Sequence, residues 1–375
     1  MKVLTVVGTR PEIIRLSRVV ARLDEVFDHV LVHTGQNFDF ELNDIFFSQL
    51  GIREPNYFLA AAGDTASSTI ARCIEGLDIV LASEPPDAVL VLGDTNSCMS
   101  VLAAKKRQIP IFHMEAGNRC FDSRVPEEIN RKIVDHMSDI NLVYTEHARR
   151  NLLAEGLSAD QIFVTGSPMA EILDYYRPNI QQSEVLTAIG LTKQRYFVAS
   201  FHREENVDEH ARATRIVESL NTIAATFGYP IILSVHPRTK KRLEDLKTDF
   251  HPLIREMKPF GLFDYVRLQQ DSYCTISDSG TITEEAAIVG FAAITVRDAH
   301  ERPEGMDSGV LVLASVNAKE MIDAIRLSRL HYESQGTRSV PLSYQDLDVS
   351  WRVAKLIQSY TGFVNRRTWR KPQSE

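Results

Sequence analysis

The sequence predicts an α/β protein made of two doubly wound, Rossmann-like domains with a ligand in the cleft between them. Three observations support this fold class. Short runs of Val, Ile and Leu alternate with helix-length segments, as in a parallel sheet that helices cover on both faces. The alternation stops near residue 170 and resumes near residue 195. The length of 375 residues also suits two domains of ordinary size.

The first half of the chain contains six apolar runs that we predict to be strands. They lie at residues 3–7, 30–33, 88–92, 109–112, 140–144 and 162–164. Helical patterns separate these runs, and the clearest lie at residues 12–23, 97–106 and 127–136. A Gly-Ser-Pro sequence at 166–168 follows the last run, so we place the N-terminal domain at residues 1–169.

The second half repeats the same alternation of apolar runs and helical patterns. Its predicted strands lie at residues 196–201, 231–235, 274–276, 293–296 and 310–313. We place the C-terminal domain at residues 170–348. A last helical pattern at 349–360 precedes a tail that carries several arginines.

The composition is that of a folded, acidic protein. Lys and Arg number 42 against 50 Asp and Glu, which gives a formal net charge of −8 at pH 7. Nucleic acids and anionic membranes attract positively charged proteins, so neither is expected as a partner. No apolar run approaches the ~20 residues of a membrane span, and the apolar start is too short for a signal peptide. The 4 cysteines form no CxxC pair and no metal-ligand spacing, which suits a metal-free protein of the reducing cytoplasm.

Two predicted strand-to-helix turns have the composition of anion sites. The first run leads into Gly-Thr-Arg-Pro-Glu at 8–12, where a helix N-terminus offers N–H groups and Arg10 adds a cation. The run at 274–276 leads into Asp-Ser-Gly-Thr, where Ser279 and Gly280 could surround a diphosphate. Glu285, within the next helix, could accept both hydroxyls of a ribose. Ordinary helix caps would explain either turn as well.

Three acids stand where the functional rim of the first sheet is expected. Asp94 and Glu115 follow two of the apolar runs, and Glu127 stands at the start of a predicted helix. Ligands of open parallel sheets bind at the carboxyl ends of the strands. Any one of these acids would pass as a cap or a surface residue, but three together favour acid–base chemistry.

The second half contributes two histidines at corresponding positions. His202 follows the run at 196–201 and His236 follows the run at 231–235, each with an arginine nearby. One histidine is more often structural than catalytic, whereas two at successive strand ends suit the polar wall of a cleft. No Gly-x-Gly-x-x-Gly sequence follows a strand, so a nicotinamide or flavin dinucleotide site has no support.

Taken together, these motifs resemble the non-hydrolysing UDP-N-acetylglucosamine 2-epimerases. They occur in the family's order across most of the chain, at residues 8–12, 93–95, 113–117, 126–131, 278–285 and 301–304. The resemblance implies a two-domain fold of the glycosyltransferase-B type, in which a C-terminal helix at 349–362 packs back on the first domain. A homodimer is also expected.

The resemblance implies a role for each candidate residue. Arg10, Ser279 and Gly280 would contact the diphosphate of UDP, while Glu285 would contact its ribose and His236 would line the same pocket. The residues implied in catalysis are Asp94, Glu115, Glu127 and His202, with Arg131 beside them.

The implied reaction needs no cofactor. The hydrogen at C2 of an N-acetylhexosamine is not alpha to a carbonyl, so its direct removal as a proton is too difficult. Oxidation at C3 would require the dinucleotide motif that this chain lacks. Elimination of UDP across C1–C2, followed by re-addition, needs only a base, a proton donor and groups that stabilise departing UDP.

At several positions the sequence departs from the pattern of the UDP-N-acetylglucosamine enzymes. Some of these segments resemble a branch of the family that makes UDP-N-acetyl-L-fucosamine from UDP-2-acetamido-2,6-dideoxy-L-talose. Family members acting on UDP-N-acetylglucosamine usually have Lys where Arg15 stands and Leu where Asn118 stands. The segments at 118–122 and 299–305 are similar to the L-fucosamine branch, whose sugar lacks the 6-hydroxyl. The sequence at 36–40 departs from the Gln-His-Arg pattern tied to effector binding, so allosteric activation by substrate is not expected.

Three alternatives remain open at this stage. The first is the UDP-N-acetylglucosamine to UDP-N-acetylmannosamine reaction of the same family. The second is a glycosyltransferase of the same fold, which would release UDP only with an acceptor. The third is a UDP-sugar sensor, which would bind its ligand without exchanging the C2 hydrogen.

Overall fold

The computed structural model describes residues 1–36, 47–207, 209–235, 240, 242–243, 248–334 and 340–372. The chain divides into two compact units. Unit 1 comprises Met1–Ile172 and Gln345–Glu375, and unit 2 comprises Leu173–Tyr344. The boundaries expected from the sequence, 169/170 and 348/349, lie three and four residues from these divisions. The glycine-containing turn at 166–168 stands close to the first of them.

Unit 1 is built on a seven-stranded parallel sheet with the order β3-β2-β1-β4-β5-β6-β7. Its strands are β1 Lys2–Val7, β2 Asp28–His33, β3 Tyr57–Phe58, β4 Ala88–Leu92, β5 Ile111–Met114, β6 Ile140–Val143 and β7 Ile162–Val164. All residues of β4, β5 and β6 are buried, because helices cover both faces. The chain reverses its direction of winding between β1 and β4, so the carboxyl ends of these strands form the crevice expected for a ligand.

Unit 2 has a six-stranded parallel sheet with the order β10-β9-β8-β11-β12-β13. Its strands are β8 Phe197–Ser200, β9 Ile231–Ser234, β10 Ile254–Met257, β11 Cys274–Ser277, β12 Ala293–Val296 and β13 Val312–Ala314. Its winding reverses between β8 and β11. Two Rossmann-like units with parallel sheets confirm the predicted fold class.

Fifteen α-helices lie wholly within the described residues, and most of them cover the two sheets. They are α1 Arg10–Val26, α2 Ala66–Ser83, α3 Val101–Lys106, α4 Pro126–Met137, α5 Glu146–Ala154, α6 Met169–Tyr175, α7 Arg177–Gln182, α8 Val185–Ala188, α9 Glu204–Val207, α10 His210–Phe227, α11 Leu262–Gln270, α12 Thr281–Glu285, α13 Pro303–Asp307, α14 Ala318–Ser334 and α15 Val349–Arg367. A 3₁₀ turn, Asn96–Ser100, precedes α3, and a π-helical turn, Ala286–Gly290, continues α12.

Helix α15 packs against α1 within unit 1. Its buried stripe of Val353, Ile357 and Val364 has helical spacing and faces the unit's core. The guanidinium of Arg22 lies 3.8 Å from the ring centroid of Trp351, which adds a cation–π contact. The helix continues to Arg367, beyond the end expected at 362.

Two strands of the structure are not among those that the sequence predicts. Strand β3 has only two residues, and β10 has the sequence Ile-Arg-Glu-Met with exposed charged residues at its centre. Both lie at the edge of their sheets, where charged side chains are common. No helix in the described part of the chain is long and apolar enough to cross a membrane.

Candidate active site

The turn between β1 and α1 is organised around one buried carboxylate. Glu12 is 2% exposed. Its Oε2 atom accepts hydrogen bonds from the N–H groups of Gly8 and Thr9 at 2.6 and 2.8 Å, and its Oε1 atom accepts one from the Thr95 hydroxyl at 2.6 Å. Burial raises the pKa of Glu12 to about 7, although these hydrogen bonds act in the opposite direction. Arg10 is half-buried at the first position of α1.

Asp94 lies just after β4 and is held by helix α4. The Nε atom of Arg131 donates to Asp94 Oδ2 at 2.7 Å, and Nη1 of the same guanidinium donates to Glu128 Oε2 at 2.9 Å. The Asn130 amide donates to the Asp94 carbonyl oxygen at 2.9 Å. The backbone of the Asp94 turn and its carboxylate are therefore both fixed by side chains of one helix.

Glu115 directly follows β5 and has a left-handed backbone conformation, with φ of +63°. Residues other than glycine seldom adopt this conformation, and such strain is concentrated at functional sites. Arg15 Nη1 donates to Glu115 Oε2, and the Asn118 amide donates to Glu115 Oε1 at 3.3 Å. A Cβ atom on Gly93 would lie 3.9 Å from Glu115 Oε2, so this carboxylate lies against the residue that precedes Asp94.

The two acids at the start of α4 have different environments. Glu127 is half-buried and makes no side-chain hydrogen bond or ion pair to any residue that the structure describes. Glu128 is buried and accepts hydrogen bonds from the backbone N–H groups of Cys120 and Phe121, each at 3.1 Å. Glu128 therefore fixes the preceding loop and Arg131, while Glu127 is the acid whose carboxylate can reach a ligand.

A buried network of hydrogen bonds and ion pairs lies next to the turns that follow β4 and β5. The His113 ring lies 2.7 Å through Nε2 from the Gly93 carbonyl oxygen and 2.9 Å through Nδ1 from Asp135 Oδ1. Arg119 Nη1 donates to Asp135 Oδ2 at 2.7 Å. The network links α4 with the ends of β4 and β5, so it stabilises the positions of the strand-end turns.

His202 of unit 2 stands beside a buried aspartate. Asp278 is fully buried and accepts hydrogen bonds from the N–H groups of His202 and Arg203 and from the Asn206 amide at 2.9 to 3.2 Å. Burial raises the pKa of Asp278, but the His202 ring at 3.0 Å and these hydrogen bonds outweigh it and lower the pKa to about 2. The His202 side chain is 51% exposed, so it can face a ligand while Asp278 holds it.

The turn after β11 places Ser279 and Gly280 before helix α12. The Ser279 hydroxyl lies 2.9 Å from the Thr281 hydroxyl. A Cβ atom on Gly280 would overlap the carboxylate of Glu301, which itself accepts a hydrogen bond from Arg203 at 3.0 Å. A side chain at 280 would therefore displace the Glu301 carboxylate from its pair with Arg203, although the backbone conformation of Gly280 is an ordinary one.

The two glutamates of α12 point to different partners. Glu285 Oε2 accepts a hydrogen bond from the Gln269 amide at 2.6 Å and is 7% exposed. Glu284 is fully buried and forms an ion pair with Arg302 at 3.3 Å. Glu285 thus keeps a small exposed fraction with its orientation fixed by Gln269, whereas Glu284 is completely buried.

The structure brings most of the predicted residues together in two groups, one in each unit. Asp94, Glu115, Glu127 and Arg131 lie at the rim of the unit 1 sheet, where Arg10 begins the adjacent helix α1. The second group, in unit 2, consists of His202, Ser279, Gly280 and Glu285. His236 and residues 37–40 lie outside the described residues, so the structure carries no information on their predicted roles.

Three residues that organise these groups were missing from the predicted site. In the sequence, Glu12 stands out only as part of a helix start, Arg15 only as a departure from the family pattern, and Asp278 only as part of a motif. Their importance comes from burial and from partners about 70 to 100 residues away, such as Glu115 for Arg15. A signal existed for Arg15, which is three residues after Glu12 and therefore on the same face of α1.

Comparison with known proteins identifies the family. The sequence pattern of the UDP-N-acetylglucosamine 2-epimerases matches residues 21–358. The chain belongs to this family. The implied enzyme class is therefore confirmed, and the chain is an isomerase of the UDP-N-acetylglucosamine 2-epimerase type. No group of three or more His, Cys, Asp or Glu side chains within the described residues is arranged to hold a metal ion.

Relatives and solved structures of this family cover almost the whole chain. The UDP-N-acetylglucosamine 2-epimerase of Rickettsia bellii is 46% identical, with a TM-score of 0.91 over 99% of this chain and 100% of that one. The Methanocaldococcus jannaschii 2-epimerase in complex with UDP-GlcNAc and UDP is 33% identical, with a TM-score of 0.89 over 96% and 99%. A Pseudomonas aeruginosa relative, named UDP-2,3-diacetamido-2,3-dideoxy-D-glucuronate 2-epimerase, is 37% identical over 88% of this chain and 92% of its own length.

Proposed function

We propose that this 2-epimerase converts UDP-2-acetamido-2,6-dideoxy-L-talose to UDP-N-acetyl-L-fucosamine, a precursor of capsule or O-antigen. The observation that carries the proposal is the pair of carboxylates at the ends of the adjacent strands β4 and β5. Each is held by an arginine, Asp94 by Arg131 and Glu115 by Arg15. Together with Glu127, which has no side-chain partner among the described residues, these two fixed carboxylates would provide what inversion at one carbon requires, a base and a proton donor.

The proposed reaction proceeds by elimination and re-addition. A base removes the C2 proton, and the electron pair of the C2–H bond becomes the second bond between C1 and C2. The C1–O bond breaks at the same time, and its electron pair leaves with UDP. A proton then returns to the opposite face of C2, while a diphosphate oxygen of UDP attacks C1 again. The sugar passes through a 2-acetamidoglycal, and no oxidant or reductant is consumed.

We assign the proton transfers to Asp94, Glu115, Glu127 and His202, with Arg131 orienting Asp94. Departing UDP gains negative charge, so its diphosphate needs cations and N–H donors. Arg10, the Ser279 hydroxyl and the backbone at Gly280 are proposed to supply them. Glu285 is proposed to accept the ribose hydroxyls, with Gln269 fixing its other carboxylate oxygen. His236 is proposed to line the same nucleotide pocket.

The choice of the 6-deoxy sugar is supported by the contacts of Glu115. Both of its oxygens are bound by residues that depart from the pattern of the UDP-N-acetylglucosamine enzymes, Arg15 on one side and Asn118 on the other. The corresponding Lys and Leu of the UDP-N-acetylglucosamine enzymes would not hold both oxygens in this way. The Pseudomonas aeruginosa relative is named for yet another sugar, so family membership by itself leaves the sugar open. UDP-N-acetylglucosamine is the second candidate substrate.

Proton NMR in deuterated water tests the choice of sugar. UDP-2-acetamido-2,6-dideoxy-L-talose and UDP-N-acetylglucosamine are supplied in parallel to the wild-type enzyme, and incorporation of deuterium at C2 is followed. We expect exchange with the 6-deoxy substrate at a kcat/KM at least about tenfold higher than with the other. Exchange with UDP-N-acetylglucosamine alone would contradict the choice of sugar and leave the epimerase mechanism standing.

We also propose that the enzyme is a cytoplasmic homodimer. Two exposed isoleucines, Ile129 and Ile133, lie one turn apart on α4, and the exposed Leu102 lies on the neighbouring helix α3. Burial of such an apolar face against a second copy would be favourable. Sedimentation velocity tests this proposal, since a dimer has twice the mass of one chain.

A further inference from the structure

The Glu12 carboxylate bonds to groups from two separate turns of unit 1. Glutamate at the third position of a helix often accepts a hydrogen bond from the N–H group before the helix, which here is the Thr9 bond. That arrangement does not account for the bond from Gly8 or for the bond from Thr95, which is 83 residues away. Glu12 is also nearly completely buried, whereas a carboxylate that only caps a helix can remain in solvent.

The two turns that Glu12 joins carry two of the proposed active-site residues. Gly8 and Thr9 immediately precede Arg10 at the end of β1, and Thr95 immediately follows Asp94 at the end of β4. The strands β1 and β4 are neighbours at the reversal of the sheet. One carboxylate therefore connects the backbone before Arg10 with the side chain next to Asp94.

The surroundings leave these turns little freedom to shift. The Thr34 and Ser97 hydroxyls lie 2.6 Å apart against Gly8, where a Cβ atom would overlap both side chains. The Gln36 amide oxygen accepts hydrogen bonds from the backbone and the hydroxyl of Ser97, each at 2.8 Å. The Cys98 thiol donates to the Leu92 carbonyl oxygen at 3.0 Å. The two turns that Glu12 joins are thus also held by close packing and by hydrogen bonds of their own.

We infer that Glu12 is a positioning residue, which holds Arg10 and Asp94 in register by bonding both strand-end turns at once. The inference rests on the proposed function, because it assumes that Arg10 and Asp94 act on the UDP-sugar. Loss of the connection would misplace these groups in the transition state more than in the bound ground state. The rate constant kcat would then fall while KM changes little.

Matched variants at Glu12 separate positioning from helix capping. Glu12→Asp keeps the charge at the start of α1 and the ability to cap, but it is one methylene too short to reach both turns. Glu12→Gln keeps the length, because its amide oxygen can accept from both N–H groups while its NH₂ group donates to the Thr95 hydroxyl. We expect Glu12→Asp to lower kcat by at least about tenfold and Glu12→Gln by less than about threefold.

The partner at Thr95 provides an independent pair of variants. The Thr95 side chain makes no capping hydrogen bond to the 3₁₀ turn that follows it, so Thr95→Val removes the bond to Glu12 without removing a cap. Thr95→Ser keeps the hydroxyl and is the control. We expect Thr95→Val to lower kcat about as much as Glu12→Asp, and Thr95→Ser to stay within about twofold of wild type. The double variant Glu12→Asp/Thr95→Val should be no slower than the slower single variant, because both remove one connection.

The assay is deuterium incorporation at C2, with kcat and KM measured separately at a temperature at which thermal melting shows every variant to be folded. Wild-type kcat in Glu12→Asp and Thr95→Val, or multiplicative losses in the double variant, would overturn the positioning role while leaving the proposed function intact. Lack of exchange by the wild-type enzyme would overturn the proposed function and this inference with it.

Discussion

Arg131 joins two acids of unit 1, donating from Nε to Asp94 at 2.7 Å and from Nη1 to Glu128 at 2.9 Å. Glu128 in turn holds the backbone N–H groups of Cys120 and Phe121. One guanidinium therefore fixes a proposed catalytic carboxylate relative to the loop that follows Glu115. This geometry needs a planar group with several donors.

The first prediction concerns this double contact. Arg131→Lys keeps the positive charge, but an ammonium group on a flexible stem cannot reproduce the two fixed directions of the guanidinium. We expect kcat to fall by at least about tenfold with a small change in KM. Lys132→Ala, at an exposed neighbouring position of α4, is the control and should retain wild-type kinetics. Equal kinetics for Arg131→Lys and wild type would show that Asp94 does not depend on Arg131.

The second prediction concerns the contacts of Glu115. The variant Arg15→Lys/Asn118→Leu replaces both side chains that hold this carboxylate with those of the UDP-N-acetylglucosamine enzymes. We expect the ratio of kcat/KM for the 6-deoxy substrate to that for UDP-N-acetylglucosamine to fall by about tenfold or more. Steady-state kinetics with both substrates measures this ratio. An unchanged ratio would remove the argument that these two residues select the sugar.

The third prediction concerns the close approach at Gly280. Gly280→Ala forces its Cβ atom into the space of the Glu301 carboxylate, so the turn must shift or the Arg203–Glu301 pair must separate. We expect the affinity for UDP to fall by about tenfold or more in isothermal titration calorimetry. Gly362→Ala on α15 meets only the end of the flexible Arg366 side chain and should bind UDP as the wild type does. Wild-type affinity in Gly280→Ala would place the diphosphate away from this turn.

The fourth prediction concerns the pH dependence of stability. Burial raises the pKa of Glu12 to about 7, above its ordinary value of 4.5. The folded state binds the Glu12 proton more tightly than the unfolded state does. This contribution to the free energy of unfolding is therefore present in full below pH ~4.5, and it is lost as the pH rises through ~7. A shift of this size corresponds to about 3 kcal/mol.

Glu12→Gln removes this titration, so the free energy of unfolding of the variant relative to wild type should increase between pH 5 and pH 8. The titratable side chains that act on Glu12 are the thiols of Cys73 on α2 and Cys98. Burial raises the pKa of Cys73 to about 12 and that of Cys98 well above its ordinary value, so neither thiol titrates in this range. Urea unfolding at several pH values measures the difference. A difference that does not change with pH would contradict the raised pKa of Glu12.

The sequence was sufficient for the fold class and for the positions of most strands, because buried parallel strands are continuous apolar runs. It was insufficient for β10, whose two adjacent charged residues reflect an edge position that only the assembled sheet defines. The acids Asp94 and Glu115 could be predicted because they stand two and three residues after apolar runs. Their partners could not, since Arg131 and Arg15 become neighbours of these acids only through the order of the strands and helices.

The central claim is that UDP leaves and returns during each turnover. Its most direct test uses a substrate with a heavy oxygen isotope in the bridging position between C1 and the diphosphate. Breakage of the C1–O bond would let the labelled phosphate rotate, and re-addition would move the label to non-bridging positions of the recovered UDP-sugar while deuterium enters at C2. We predict both changes in the wild-type enzyme and a large loss of both in Asp94→Asn, Glu115→Gln and Glu127→Gln. Deuterium incorporation at C2 with the label still entirely in the bridge would contradict elimination of UDP.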